Sequence, residues 1–141
     1  MLRTAAAAVA ILLLGLIACS DGEAPGAPAL GLRTFLFGTR GVPPEDGEFV
    51  AATSDPLVQA RLDAELTLPE AQRGRHIGGP LAKGNDGYNF SWSWHFLPDQ
   101  WDVVEVSIEL CDGTPRAVEE NVDAWVGQVF CPWSSYVERE L

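Results

Sequence analysis

Basic residues are scarce in this chain: 9 Lys and Arg stand against 20 Asp and Glu, a formal charge of −11 at pH 7. That balance repels nucleic acid and anionic lipid headgroups and excludes both as partners of the folded part, while serving plain solubility in an exported protein. With 2 His and 3 Cys in 141 residues, metal ligands are few, and no CxxC pair exists. The HExxH, GxSxG, Walker-loop and EF-hand patterns are missing, so no catalytic set or cofactor motif is legible. "GNDGYN" and "PPEDGE" combine acid and glycine, yet lack the ligand spacing of a calcium loop. No internal repeat occurs, and no apolar run reaches the about 20 residues of a bilayer span.

What is present begins with "MLRTAAAAVAILLLGLIACSDGEAPGAPALG". Arg3 precedes an apolar run from Ala5 to Ala18 that suits a signal-peptide core. Leu16-Ile17-Ala18-Cys19 resembles the bacterial lipobox, whose cysteine thiol receives a diacylglyceryl group and becomes the new N-terminus. The resemblance implies a signal peptide at 1–18, lipidation at Cys19 and an extracytoplasmic place in a bacterial cell envelope. An ordinary signal peptide is the alternative. Ser20 resembles outer-membrane sorting while Asp21 blurs it, which leaves inner or outer membrane open. Residues 19–31 are rich in Pro, Gly and Ala and read as a flexible tether. Residues 32–141 then fit a single domain with one core.

Within that domain, RTFLFGT (33–39) reads as a strand, and TSDPLVQARLDAEL carries the cap and proline of a helix start. Val58, Leu62 and Leu66 recur at helical spacing, with Leu57, Ala60 and Ala64 beside them, and Pro69 stops the pattern. A short or interrupted strand is expected near His76–Ala82, with a turn at Gly84–Gly87. Thr114 and Pro115 open a second helix over Pro115–Val126, and Phe130–Glu138 supplies a last strand. The expected class is α+β: a mainly antiparallel sheet with two helices packed on one face and one inter-element disulfide.

"YNFSWSWHF" (88–96) and "VEVSIELC" (104–111) both alternate with period 2. As a hairpin, they pair Phe96 with Val104, Trp94 with Val106, Trp92 with Ile108 and Phe90 with Leu110. Five aromatics, Tyr88 to Phe96, then share a face with an aliphatic row, and their area argues for core rather than a ligand-stacking platform. The opposite face collects Asn89, Ser91, Ser93 and His95 with Glu105, Ser107 and Glu109, placing His95 across from Glu105. That face reads as solvated surface. Its alternative is a metal-dependent or acid–base hydrolytic site around His95, Glu105 and Glu109, with His76, His95 and Asp112 as candidate metal ligands. A carbohydrate-binding module using Trp101, Trp125 or Trp133 is a further alternative. Cys111 and Cys131 remain as an even pair, favouring a disulfide; zinc held by Cys111, Cys131, His76 and His95 is the competing reading.

His76-Ile77, Tyr88-Asn89, Trp92–Phe96, Ile108–Gly113 and Cys131-Pro132-Trp133 resemble a small domain of secreted bacterial proteins. A domain of this kind also stands at the N-terminus of the 74-kilodalton calmodulin-binding protein of a slime mould. The resemblance implies a domain boundary but no nameable activity. It does not bring calmodulin with it: calmodulin targets are basic amphipathic helices, and both helices expected here carry acids. The reading as a whole is a lipid-anchored, non-enzymatic binding or structural domain whose protein or carbohydrate ligand is open.

Overall fold

The computed structural model describes residues 31–141; the signal run, the lipobox and most of the tether lie outside the described residues. In chain order these form β1 (Arg33–Thr39), α1 (Pro44–Gly47), β2 (Phe49–Thr53), α2 (Pro56–Leu66) and β3 (His76–Lys83). Then come β4 (Trp94–Phe96), β5 (Asp102–Val104), α3 (Pro115–Glu120), α4 (Val122–Trp125), β6 (Val129–Phe130) and β7 (Ser135–Glu140). Two antiparallel sheets result, one ordered β2-β1-β7 and the other built on β3, which pairs with β4, β5 and β6. The α+β class stands, with four mostly short helices and the sheet divided in two.

Local chemistry explains the helices. Asp55 Oδ1 accepts from the backbone N–H groups of Leu57 (2.8 Å) and Val58 (3.4 Å), and Pro56 occupies the first turn of α2. Val58 and Leu62 are buried and Leu66 is half-buried, whereas Leu57, Ala60 and Ala64 face solvent. Thr114 Oγ1 caps α3 by accepting from Ala117 N at 3.2 Å. The single helix expected over Pro115–Val126 breaks at Asn121, whose φ of −149° is not helical, and continues as α4.

The expected hairpin does not form. Phe96, His95 and Trp94 pair with Leu81, Ala82 and Lys83 of β3, while Val103 and Val104 pair with Ile77 and His76 at its other end. Turn residues Gly84, Asp86 and Gly87 take φ of +85°, +51° and +77°, so β3 ends at Lys83 and β4 cannot extend back towards Tyr88. Residues 88–92 instead turn on themselves, with Trp92 N donating to Asn89 O at 3.1 Å. The comb is therefore split. Trp92, Trp94 and Phe96 are buried, Tyr88 is half-buried, and Phe90 is 76 % exposed.

The aromatic core bridges the sheets. Phe49 of β2 lies 5.8 Å from Trp94 and 5.7 Å from Phe96, and Phe130 of β6 lies 5.7 and 5.8 Å from the same two rings. Phe37 of β1 meets Trp101 edge-to-face at 5.9 Å, and Trp101 Nε1 donates to Ala52 O across the sheets at 2.8 Å. At Gly79 the backbone of β3 lies directly on Trp101: a Cβ there would sit 2.7 Å from Trp101 Cα and 3.0 Å from Gln100 O. Neither obstacle is a flexible side-chain end.

These contacts set an order of mutational cost. Trp94→Ala should lower unfolding free energy by about 3–5 kcal/mol, and Phe90→Ala should change it by less than about 0.5. Gly79→Ala should cost at least about 1–3 kcal/mol through overpacking against backbone. Urea titrations of the three variants check this, and equal midpoints for Trp94→Ala and Phe90→Ala would refute the split of the comb.

Candidate functional site

His76 opens β3, and its backbone pairs with Val104 of β5. Beyond Val104 no strand remains to pair with, because the chain before His76 is turn and 3-10 helix (Glu70–Gln72). Residues 105–110 therefore leave the sheet as a loop, which a 3-10 turn (Glu109–Cys111) returns to the body. The loop is pinned at three points. Glu105 accepts from Arg75 at 3.1 Å, Ser107 Oγ and His76 Nε2 share a hydrogen bond of 2.7 Å, and Cys111 is disulfide-bonded to Cys131. The disulfide's Cα separation of 5.1 Å is ordinary, and a loop of 20 residues closed this way is worth roughly 3 kcal/mol in the chain-entropy model.

Pinning the odd-numbered side chains turns the even-numbered ones outward. Val106, Ile108 and Leu110 are 85 %, 68 % and 90 % exposed, the reverse of the burial that their alternation predicts. Next to them a cavity of about 270 Å³ is lined by Gly74, His76, Glu105, Val106, Ser107 and Trp133. Trp133 is held at its rim by its backbone N–H, which donates to Asp112 Oδ1 at 2.9 Å. No Lys or Arg lines the cavity. His76 is buried, and burial holds its imidazole below the ordinary value of 6.5, with the nearby Asp112 carboxylate pulling the other way.

His95 lies elsewhere. From His76 to Ala82, the partner of His95, β3 spans roughly 20 Å at about 3.3 Å per residue, so no metal bridges the two histidines. His95 Nδ1–H donates to Gly84 O at 2.7 Å, its ring meets Tyr88 edge-on at 6.0 Å, and Nε2 lies 3.9 Å from Asp86. It touches neither Glu105 nor Ser107. The expected His95–Glu105–Glu109 face thus comes apart: Glu105 goes to Arg75, and Glu109 sits exposed in the 3-10 turn. The candidate set His76, His95 and Asp112 is divided likewise, and the described residues hold no group of three or more metal-ligating side chains. Zinc on Cys111, Cys131 and the histidines is excluded by the disulfide.

The other polar residues of the comb do structural work. Asn89 Nδ2 donates to Trp94 O and its Oδ1 accepts from Val50 N, both at 2.8 Å; Ser93 bonds Glu119. Of the three tryptophans considered for sugar binding, Trp101 is buried, Trp125 packs half-buried against Phe130 at 5.3 Å, and Trp133 alone is exposed. No paired platform forms. Sequence reasoning missed the His76–Ser107 pair because it assigned Ser107 to a strand opposite β4.

Residues 32–141 match the family model of the N-terminal domain of the 74-kilodalton binding protein. The chain belongs to that family. No curated protein and no solved structure matches it. The family match covers both the pocket and the loop that borders it.

A depressed His76 makes stability depend on pH with a definite sign. The unfolded chain takes up a proton near pH 6.5 that the folded one resists, so this contribution is full above that value and is lost as pH falls through the folded pKa. Urea unfolding between pH 5 and 8 should show wild type losing more stability on acidification than His76→Gln. Parallel profiles would mean that the imidazole titrates normally.

Proposed function

We propose that this member of the family is a lipid-anchored, extracytoplasmic binding module that takes a small, neutral, apolar ligand in the cavity between His76 and Trp133. One observation carries the reading: the loop 105–110 presents Val106, Ile108 and Leu110 to solvent beside an open cavity, while its polar side chains are tied down. A domain with ample core has no stability reason to turn three aliphatics outward, and such exposure ordinarily marks a binding surface. The ligand is neutral because Glu105 lines the site, Asp112 stands beside it and no cation lines it to receive a carboxylate. His76 and Ser107 supply one hydrogen-bonding corner in an otherwise apolar wall. The lipobox at Cys19 and the tether that follows it support placement at a membrane surface, where acyl chains contribute about 0.8 kcal/mol per buried CH₂.

Two measurements test this. Titration with benzyl alcohol should move the NMR signals of His76, Val106, Ser107 and Trp133 together. Val106→Ser and Trp133→Ala should each weaken binding roughly tenfold, about 1.4 kcal/mol, without lowering the melting temperature. Shifts scattered over other faces, or none at all, would sink the binding reading. Radiolabelled fatty acid should enter the wild-type chain and not Cys19→Ala; label retained by the variant would remove the anchor.

A further inference from the structure

We infer that Ser107 is a nucleophile activated by His76, and that the cavity they share acts on small neutral acyl esters. The inference rests on the binding reading for its substrate class, and on the dyad's own geometry for its chemistry. Ser107 Oγ lies 2.7 Å from His76 Nε2, within the distance at which an imidazole takes a hydroxyl proton. His76 is fixed by its place at the start of β3, and Ser107 by a loop closed at Cys111, so two separate constraints hold the pair. Burial keeps the imidazole neutral and able to act as base, and the Asp112 carboxylate favours the imidazolium once it forms. Ser107 is half-buried and opens on the cavity, with the apolar Val106 and Trp133 as its other walls. The backbone N–H groups of Ser107 and Ile108 make no hydrogen bond to any described residue, leaving donors beside the attacking oxygen for a carbonyl oxygen that gains charge.

The reaction needs nothing beyond an ester and water. Ser107 Oγ bonds to the carbonyl carbon as its proton passes to His76 Nε2. The bond from that carbon to the alcohol oxygen then breaks, and the leaving alkoxide takes the proton from His76. Water attacks the acyl-Ser107 ester, again losing its proton to His76, and Ser107 Oγ recovers that proton as the carboxylic acid departs. Oxidation states do not change.

The full chain treated with diisopropyl fluorophosphate should gain one phosphoryl adduct, located by peptide mass spectrometry on Ser107 and absent from Ser107→Ala. Its rate should rise with pH through a midpoint below the ordinary histidine value of 6.5. His76→Gln should slow labelling by about 100-fold or more, and wild type should hydrolyse p-nitrophenyl acetate faster than Ser107→Ala. Should His76→Gln fail to fold, the wild-type pH profile decides. An unlabelled Ser107, labelling no faster than that of other exposed serines, or a profile flat from pH 5 to 8 overturns the inference. Benzyl alcohol binding with an inert Ser107 would leave the binding reading standing and remove this one; a labelled Ser107 in a chain that binds no benzyl alcohol does the reverse.

Discussion

The backbone of β3 at Gly79 rests on Trp101 with no space for a side chain, and much of the molecule is arranged around that contact. Trp101 can then reach across to Ala52 O and stand edge-on to Phe37, joining the strand that bears Gly79 to the other sheet. With β3 fixed against it, the three partners of β3 follow in turn along its length: β5 over residues 76–78, β6 over 79–80 and β4 over 81–83. One strand thus distributes three short ones. It also sets the two histidines at opposite ends, since His76 begins β3 and His95 pairs near its end.

The same arrangement leaves residues 105–110 without a sheet. An extended segment with three aliphatics would ordinarily fold them inward, at a gain of roughly 1.5–3 kcal/mol for each fully buried side chain. Here the opposing demands are covalent and polar: Cys111 must meet Cys131, Ser107 meets His76, and Glu105 meets Arg75. Cys131 is itself buried, and its Cβ lies against the backbone position of Gly78. The disulfide therefore ties the loop to the middle of β3 rather than to another surface segment. Exposure of Val106, Ile108 and Leu110 is the cost of that attachment, and it explains why an apolar surface survives in a chain whose charge is otherwise so acidic.

Much of the fold was legible where local chemistry and packing agree. The first strand, the Asp55-capped helix and the Thr114 cap are fixed by residues that act within a few positions of themselves. Burial of Trp92 and Trp94 was legible from area alone. The hairpin was not, because parity rules say which faces must match but not which strand is the neighbour, and β3 took the place assigned to 104–111. Nor does sequence show Asp99, whose carboxylate accepts from Ser54 N and Ser54 Oγ at 2.6 Å and from Thr53 Oγ1 at 2.9 Å, and is held below the usual carboxylate range by those bonds. Its role depends on a contact between residues far apart in the chain. The strand Phe49–Thr53 was missed for a related reason: a short segment between loops takes its state from pairing with β1. Of the candidate site, His76, Glu105, Asp112 and Trp133 were all singled out from sequence. Their grouping was not, because it depends on where β3 begins.

Separation of the pocket from the core gives the site its character. Trp94, Phe96, Phe49 and Phe130 hold the sheets together without touching the cavity, and the cavity's side chains contribute little to that cluster. His76 is the exception, being both a strand residue and a cavity wall. Its backbone carries the β3–β5 pairing while its ring serves the pocket, so the position of the ring is set by the sheet and not by whatever the pocket holds. Ser107 is held by the converse arrangement, through a loop whose own backbone is unpaired but whose end is fixed by a covalent bond. A rigid partner on a strand and a tethered partner on a loop give a contact that is preorganised yet accessible. The apolar side chains around it can change without loosening the fold, which leaves ligand choice to Val106 and Trp133 while the pair itself stays in place.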